Sequence, residues 1–246
     1  MCPRKTATHR AGALRIQQDA LLPGKGDGQM ACAEVRALRV SRPQKMETPT
    51  NREASDAGRR KLNVGCGVDV RPGWTNIDVV DYGGNQIVDT NKYPWPFPEN
   101  HFDHILCSHI LEHLNNFNAV VTELYRVAKP DATIEVRVPF FLSTKYYSEP
   151  DHRIPFGIRS FDNYEEFAGR KLKFYEKWKL RQRTDYGSPA RFLILEKKFN
   201  FSNFTILKWM NWWINLEPVM FERFLAGVFQ PEEVVFQLRV FKPRKA

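Results

Sequence analysis

The residues Lys61-Leu-Asn-Val64 form a short apolar run that enters the turn Gly65-Cys-Gly67, and eleven residues later Asp78 closes Trp74-Thr-Asn-Ile-Asp78. Glycines carry no Cβ, so such a turn takes positive φ and lets backbone approach a ligand closely. An acid at the end of the next strand offers paired acceptors for a ribose diol, as in dinucleotide-binding folds. The pattern predicts a nucleoside-like ligand at this bend. The loop from Gly67 to Asp78 lacks a third glycine, and an NAD-type fingerprint needs one, with its acid about twenty residues on, so that cofactor is disfavoured. Two further groups carry acid-base chemistry: Ser108-His-Ile-Leu-Glu-His113 and Ser148-Glu-Pro-Asp-His-Arg153. In the second, Asp151 is expected to fix the imidazole of His152 through Nδ1. His152 then reads either as a base or acceptor contact, or as a structural loop histidine.

The elements that position these residues follow from periodicity. Strands are expected at Lys61–Val64, Thr75–Val79, Gln86–Val88, His104–Ser108 and Thr133–Val138. Phe117–Val127 spaces Val120, Val121, Leu124 and Val127 as one face of a helix, which Lys129-Pro130 should end. Strand-helix-strand order implies a parallel sheet with right-handed crossovers. The first two connections are too short for full crossover helices, so one flank of the sheet is expected bare or covered by the C-terminal part. Lys171–Arg183 alternates as a strand with one basic face. Arg191–Phe201 and Val234–Lys242 read as antiparallel strands, and the aromatic run 203–230 as two short helices broken at Pro218. The fold class is α/β: a Rossmann-like, mostly parallel sheet with shortened first crossovers, C-terminal antiparallel strands and an aromatic helical cap.

At 246 residues and 42% hydrophobic content, one domain with a real core is expected. Residues 1–60 hold twelve Lys/Arg against six Asp/Glu, +6 of the total +9, which leaves the remainder at +3. A polyanion partner for the folded body is therefore weakly supported. Residues 1–58 show no sustained period and read as a disordered leader, with Met46 a second candidate start; a basic nucleic-acid-binding tail is the rival reading. Cys2, Cys32, Cys66 and Cys107 show no metal-ligand spacing or disulfide framework, which suits a reducing cytosol and leads us to expect no metal. No secretory signal or run of eighteen apolar residues is present, so the expected location is cytoplasmic.

Leu-Asn-Val-Gly-Cys-Gly, Asn76-Ile-Asp78, Val88-Asp89, Trp95-Pro-Phe-Pro-Glu-Asn-His-Phe-Asp103, Ser108-His-Ile-Leu-Glu-His113 and Glu123-Leu-Tyr-Arg-Val-Ala-Lys-Pro130 together resemble the class I S-adenosylmethionine-dependent methyltransferases, in particular the small bacterial proteins of the type-11 branch. The resemblance covers Arg60–Phe141. It implies that S-adenosylmethionine is the cofactor. Gly65 and Gly67, with Cys66 between them and Asn63 before them, match the turn under its methionine moiety; Asp78 matches the ribose acid, Asp89 the adenine contact, and Ser108 and His109 the methionine end. It also implies a base among His109, His113, Asp151 and His152, with residues 142–170 as an acceptor-side insertion. Asp131-Ala132 stands where the family usually has Gly-Gly, and a local backbone change is expected there. The implied acceptor is a small molecule or a saccharide, including a lipid-linked one; the aromatic run 204–229 reads either as a cap over the bare sheet flank or dimer contact, or as a peripheral seat on an inner membrane surface. A catalytically silent module of the same fold is the alternative. A nucleic-acid methyltransferase is less favoured, since Ser108-His-Ile-Leu replaces the Asn/Asp-Pro-Pro-Tyr/Phe signature of base methylation.

Overall fold

The computed structural model describes residues 58–167, 184, 186–201 and 208–243. The expected leader 1–58, apart from Gly58, and the basic strand Lys171–Arg183 lie outside the described residues. Seven strands, β1 (Lys61–Val64), β2 (Thr75–Asp78), β3 (Gln86–Ile87), β4 (Phe102–Ser108), β5 (Ala128–Pro139), β6 (Phe192–Asn200) and β7 (Glu233–Val240), form one sheet in the order β3-β2-β1-β4-β5-β7-β6. The first five are parallel, and the order reverses between β1 and β4, the crevice where open α/β sheets bind ligands. One face of the sheet's centre is apolar, with Leu62, Val64, Ile105, Cys107, Ile134 and Val136 all buried, while the opposite face carries Asn63, His104, Glu135 and Arg137 beside Leu106.

Helix α1 (Phe117–Val127) begins where the Asn116 side chain accepts the Ala119 N–H at 3.1 Å, which satisfies one of the free donors of its first turn. Its buried face is Val120, Val121, Leu124 and Val127. The chain then passes directly into β5 at Ala128, two residues before Pro130. Asp131 has φ 62°, a left-handed conformation that aspartate tolerates. The strand continues through it, so the departure from Gly-Gly is absorbed without breaking the element.

β7 is antiparallel to β5 and to β6, so the two reversals leave β6 running in the direction of β5. Helices α2 (Thr144–Ser148), α3 (Lys208–Ile214) and α4 (Pro218–Phe224) complete the described elements, with Pro218 opening α4. α3 and α4 pack on β6. The aromatic helices thus pack at the β6 end of the sheet, opposite β3, because the late strands extend the sheet away from the short crossovers. On the β2–β3 side Val79, Val80, Tyr82 and Ile87 are exposed.

Candidate active site

The bend after β1 and the end of β2 are tied together by short bonds. Gly65 and Gly67 have φ 62° and 49°. Asp78 accepts the Gly67 N–H through Oδ2 at 2.9 Å and the Val80 N–H through Oδ1 at 3.1 Å. Cys66 N–H donates to the Ile77 carbonyl at 3.0 Å. A Cβ at position 65 would lie 2.6 Å from Ile110 Cβ, so only glycine fits where this bend meets the segment after β4. Burial first, then the charge of Asp78, raises the Cys66 thiol, which stays protonated.

Asn63 is buried and its amide nitrogen donates to the Asp69 carbonyl at 2.8 Å and to Asn76 Oδ1 at 3.2 Å. Asn76 Oδ1 also accepts the Arg71 N–H at 3.0 Å. The side chain expected as a cofactor contact thus braces the loop 65–74 from inside, since both its donors face the protein. Asp89 makes an Asx turn, Oδ1 accepting the Asn91 N–H at 3.0 Å, with Lys92 Nζ 3.3 Å from Oδ2. Val88 N–H reaches the Asp78 carbonyl at 2.8 Å, which places the two acids on one rim.

At the end of β4, Ser108 pairs with Arg137, and His109 has φ 53° with its N–H on the Arg137 carbonyl at 2.9 Å. The flanking carboxylates of Glu112 and Glu233 raise the His109 imidazole to about 9. Glu233 at 3.1 Å is the hydrogen-bond partner; 3.5 Å leaves Glu112 an electrostatic neighbour. At neutral pH His109 therefore holds its proton, the wrong state for the general base expected of it. The bond from His109 holds Glu233 down at about 2.

The expected Asp151–His152 pair does not form. Asp151 Oδ2 bonds His113 Nδ1 at 2.9 Å, while His152 Nδ1 meets the Tyr146 carbonyl at 2.8 Å. Consecutive side chains in this loop diverge, so the acid serves the histidine of another element. The His113 and His152 rings are 4.6 Å apart, edge to face. Glu149 Oε2 lies 3.3 Å from His152 Nε2 and 3.9 Å from His113 Nε2. The insertion is clasped to the 3₁₀ turn Leu111–His113 by the N–H groups of Arg153 and Ile154, both on the Glu112 carbonyl at 2.7 and 3.1 Å. Sequence reasoning placed Glu112 and Glu149 within the two acid-base segments without assigning either a role, and it missed Glu233, which only the sheet order brings beside His109.

Residues 60–136 match the family described as "Methyltransferase domain". No curated protein matches the chain. Among solved structures, a SAM-dependent methyltransferase from Archaeoglobus fulgidus is 17% identical, with 76% of this chain and 90% of that one covered and a TM-score of 0.46. One from Mesorhizobium loti is 13% identical, with 74% and 91% covered and a TM-score of 0.40. The 1,6-didemethyltoxoflavin-N1-methyltransferase of Burkholderia thailandensis, solved with 1,6-didemethyltoxoflavin and S-adenosylhomocysteine, is 13% identical, with 76% and 74% covered and a TM-score of 0.38.

Proposed function

Residues 60–136 match the methyltransferase-domain family, and from that premise we propose that the chain is a class I S-adenosylmethionine-dependent methyltransferase whose bend Gly65–Gly67 and Asp78 hold the cofactor for methyl transfer to a small-molecule or saccharide acceptor. The observation that carries this reading is the Asp78 carboxylate lying on the bend, 2.9 Å from the Gly67 nitrogen. The residues fit the group. A carboxylate with two backbone donors keeps lone pairs for a ribose diol, the missing Cβ of Gly67 leaves the backbone open with nothing within 4 Å, and Asp89 follows on the same rim for an adenine amino group. Cys66 contributes its backbone, and Ser108 closes the methionine end.

When bound, the cofactor supplies a methyl already activated on a sulfonium. The chain's task is then to align an acceptor and exclude water from it. Asn63 and Asn76 keep the bend rigid; protonated His109 places a positive charge beside Ser108. An oxygen acceptor must lose a proton to a nearby group.

Isothermal titration of the purified chain with S-adenosylmethionine and S-adenosylhomocysteine tests the cofactor reading, and absence of binding to both would sink it. Cofactor-dependent labelling of a cell extract, read by mass spectrometry, identifies the acceptor. Cofactor binding without any labelled product would favour a silent binding module instead.

A lipid-linked acceptor is supported by the aromatic helices. Ile214 and Phe221 pack inward, whereas Trp212, Leu216, Met220 and Phe224 are more than half exposed beside an apolar cleft of ≈ 260 Å³. Such a face suits the boundary of a bilayer. Among the described residues no helix is long and apolar enough to cross a membrane, so the contact we propose is peripheral. Sedimentation with anionic vesicles checks it; a chain that stays in the supernatant and instead sediments as a dimer assigns the face to a second copy.

A further inference from the structure

The turn Leu111–His113 and the loop 149–152 bring two imidazoles and two carboxylates to one point, and we propose that Glu112, His113, Glu149 and His152 bind a divalent first-row transition cation. The ligating atoms of Glu112, His113 and His152 all lie within 4.8 Å of one another. Glu149 Oε2 lies within 3.9 Å of both Nε2 atoms.

Three observations converge. Each imidazole has its Nδ1 against an oxygen that only accepts: the Asp151 carboxylate for His113 and the Tyr146 carbonyl for His152. Nδ1 must then carry the hydrogen, which in a neutral ring leaves the Nε2 lone pair free. Histidines that ligate metals are held in this way, the outer oxygen fixing tautomer and ring orientation. Both free Nε2 atoms converge on the same carboxylate, so the lone pairs face one point.

Independently, Glu112 is fully buried and neither of its carboxylate oxygens has a hydrogen-bond partner. The charged group beside it is His109, at 3.5 Å. A buried carboxylate without hydrogen bonds is costly, and buried charges are commonly paired or bound to metal. A cation between Glu112 and the two Nε2 atoms would supply what the protein does not. Mixed imidazole and carboxylate donors suit Zn2+ or Mn2+ better than Ca2+, which prefers oxygen alone. The clamp of Arg153 and Ile154 on the Glu112 carbonyl holds the turn and the loop in register before any ion arrives. Cys and His spacing could not reveal such a site, because His113 and His152 lie far apart in the chain. The inference stands apart from the cofactor reading, since it uses none of the residues at the glycine bend.

The test is titration of the full chain, stripped with chelator, with Zn2+, Mn2+ and Co2+ separately by calorimetry, together with the visible absorption of the Co2+ form. The proposal expects saturable binding of one ion per chain, loss of that binding in His113→Ala and His152→Ala, and a drop of about 10–100-fold in affinity for Asp151→Asn, which touches only the outer oxygen. The exposed Glu149→Gln keeps the test open if the histidine variants do not fold, and it too should weaken binding and alter the Co2+ spectrum. No saturable binding of any of the three ions would overturn the proposal and leave a plain ion-pair cluster. Unchanged affinity and spectrum in Glu149→Gln and Asp151→Asn would overturn it as well. Titration with S-adenosylmethionine in the same samples reads the cofactor site separately.

Discussion

The two halves of the rim above the parallel strands are built in opposite ways. The cofactor half lies between Lys61 and Asp78, where the bonds of the Asn63, Asn76 and Asp78 side chains that shape the bend join residues of one strand-loop-strand unit. The acceptor half draws on the turn after β4, the insertion after β5 and Glu233 at the start of β7, 124 residues from His109. A local unit sets its geometry by backbone conformation, and its weak points are single glycines. A dispersed one sets its geometry by side-chain charge and tethering, and its weak points are ionisable groups.

The sharpest way to break the local half is at its glycines. Gly67→Ala meets nothing within 4 Å and should cost only the positive-φ penalty, about 1–2 kcal/mol. Gly65→Ala adds the collision with Ile110 and should cost about 1–3 kcal/mol more; urea unfolding of the pair checks the order, and equal losses would mean that Ile110 yields freely. Next in size, Asp78→Ala should weaken S-adenosylmethionine binding on the order of 100-fold, since charge-assisted bonds to two hydroxyls disappear. Calorimetric titration measures this, and an unchanged affinity would move the ribose elsewhere.

The dispersed half is broken more gently, through pH. Glu233 lies well below its ordinary 4.5, at about 2, through its bond to His109 and the nearby Lys145. A depressed carboxyl favours the folded state above its unfolded pKa, so this contribution is complete above about pH 4.5 and fades as the pH falls toward 2. Glu233→Gln should flatten the stability loss across that window, which urea midpoints at stepped pH would show. The smallest effect belongs outside both halves: Trp212→Ala should change stability by no more than about 0.5 kcal/mol, as exposed substitutions do, while reducing sedimentation with anionic vesicles.

The same contrast explains how far the sequence could be read. Lys61–Val64 and Phe117–Val127 were legible to the residue because an apolar run ending in a glycine turn and a period-3.6 apolar face are local signals. The approach of Asp78 to the bend was legible for the same reason. The partner of Asp151 was not, because nearness in sequence suggested His152 while the clasp on Glu112 brings His113 within reach. Glu233 gave no signal at all, since what brings it beside His109 is sheet order. Nor could the tryptophans around Trp212 reveal which edge they would cover: composition marks an apolar face, and only the placement of β6 outside β7 decides where it lies.

That placement bears on how the chain comes off the ribosome. β7 sits between two strands made earlier, so β6 has no neighbour in the sheet until synthesis passes Val240. Until then β5 offers its open edge to any strand nearby, including one from another nascent copy. A stop codon within β7 should therefore yield insoluble protein, whereas one placed after Phe241 should not.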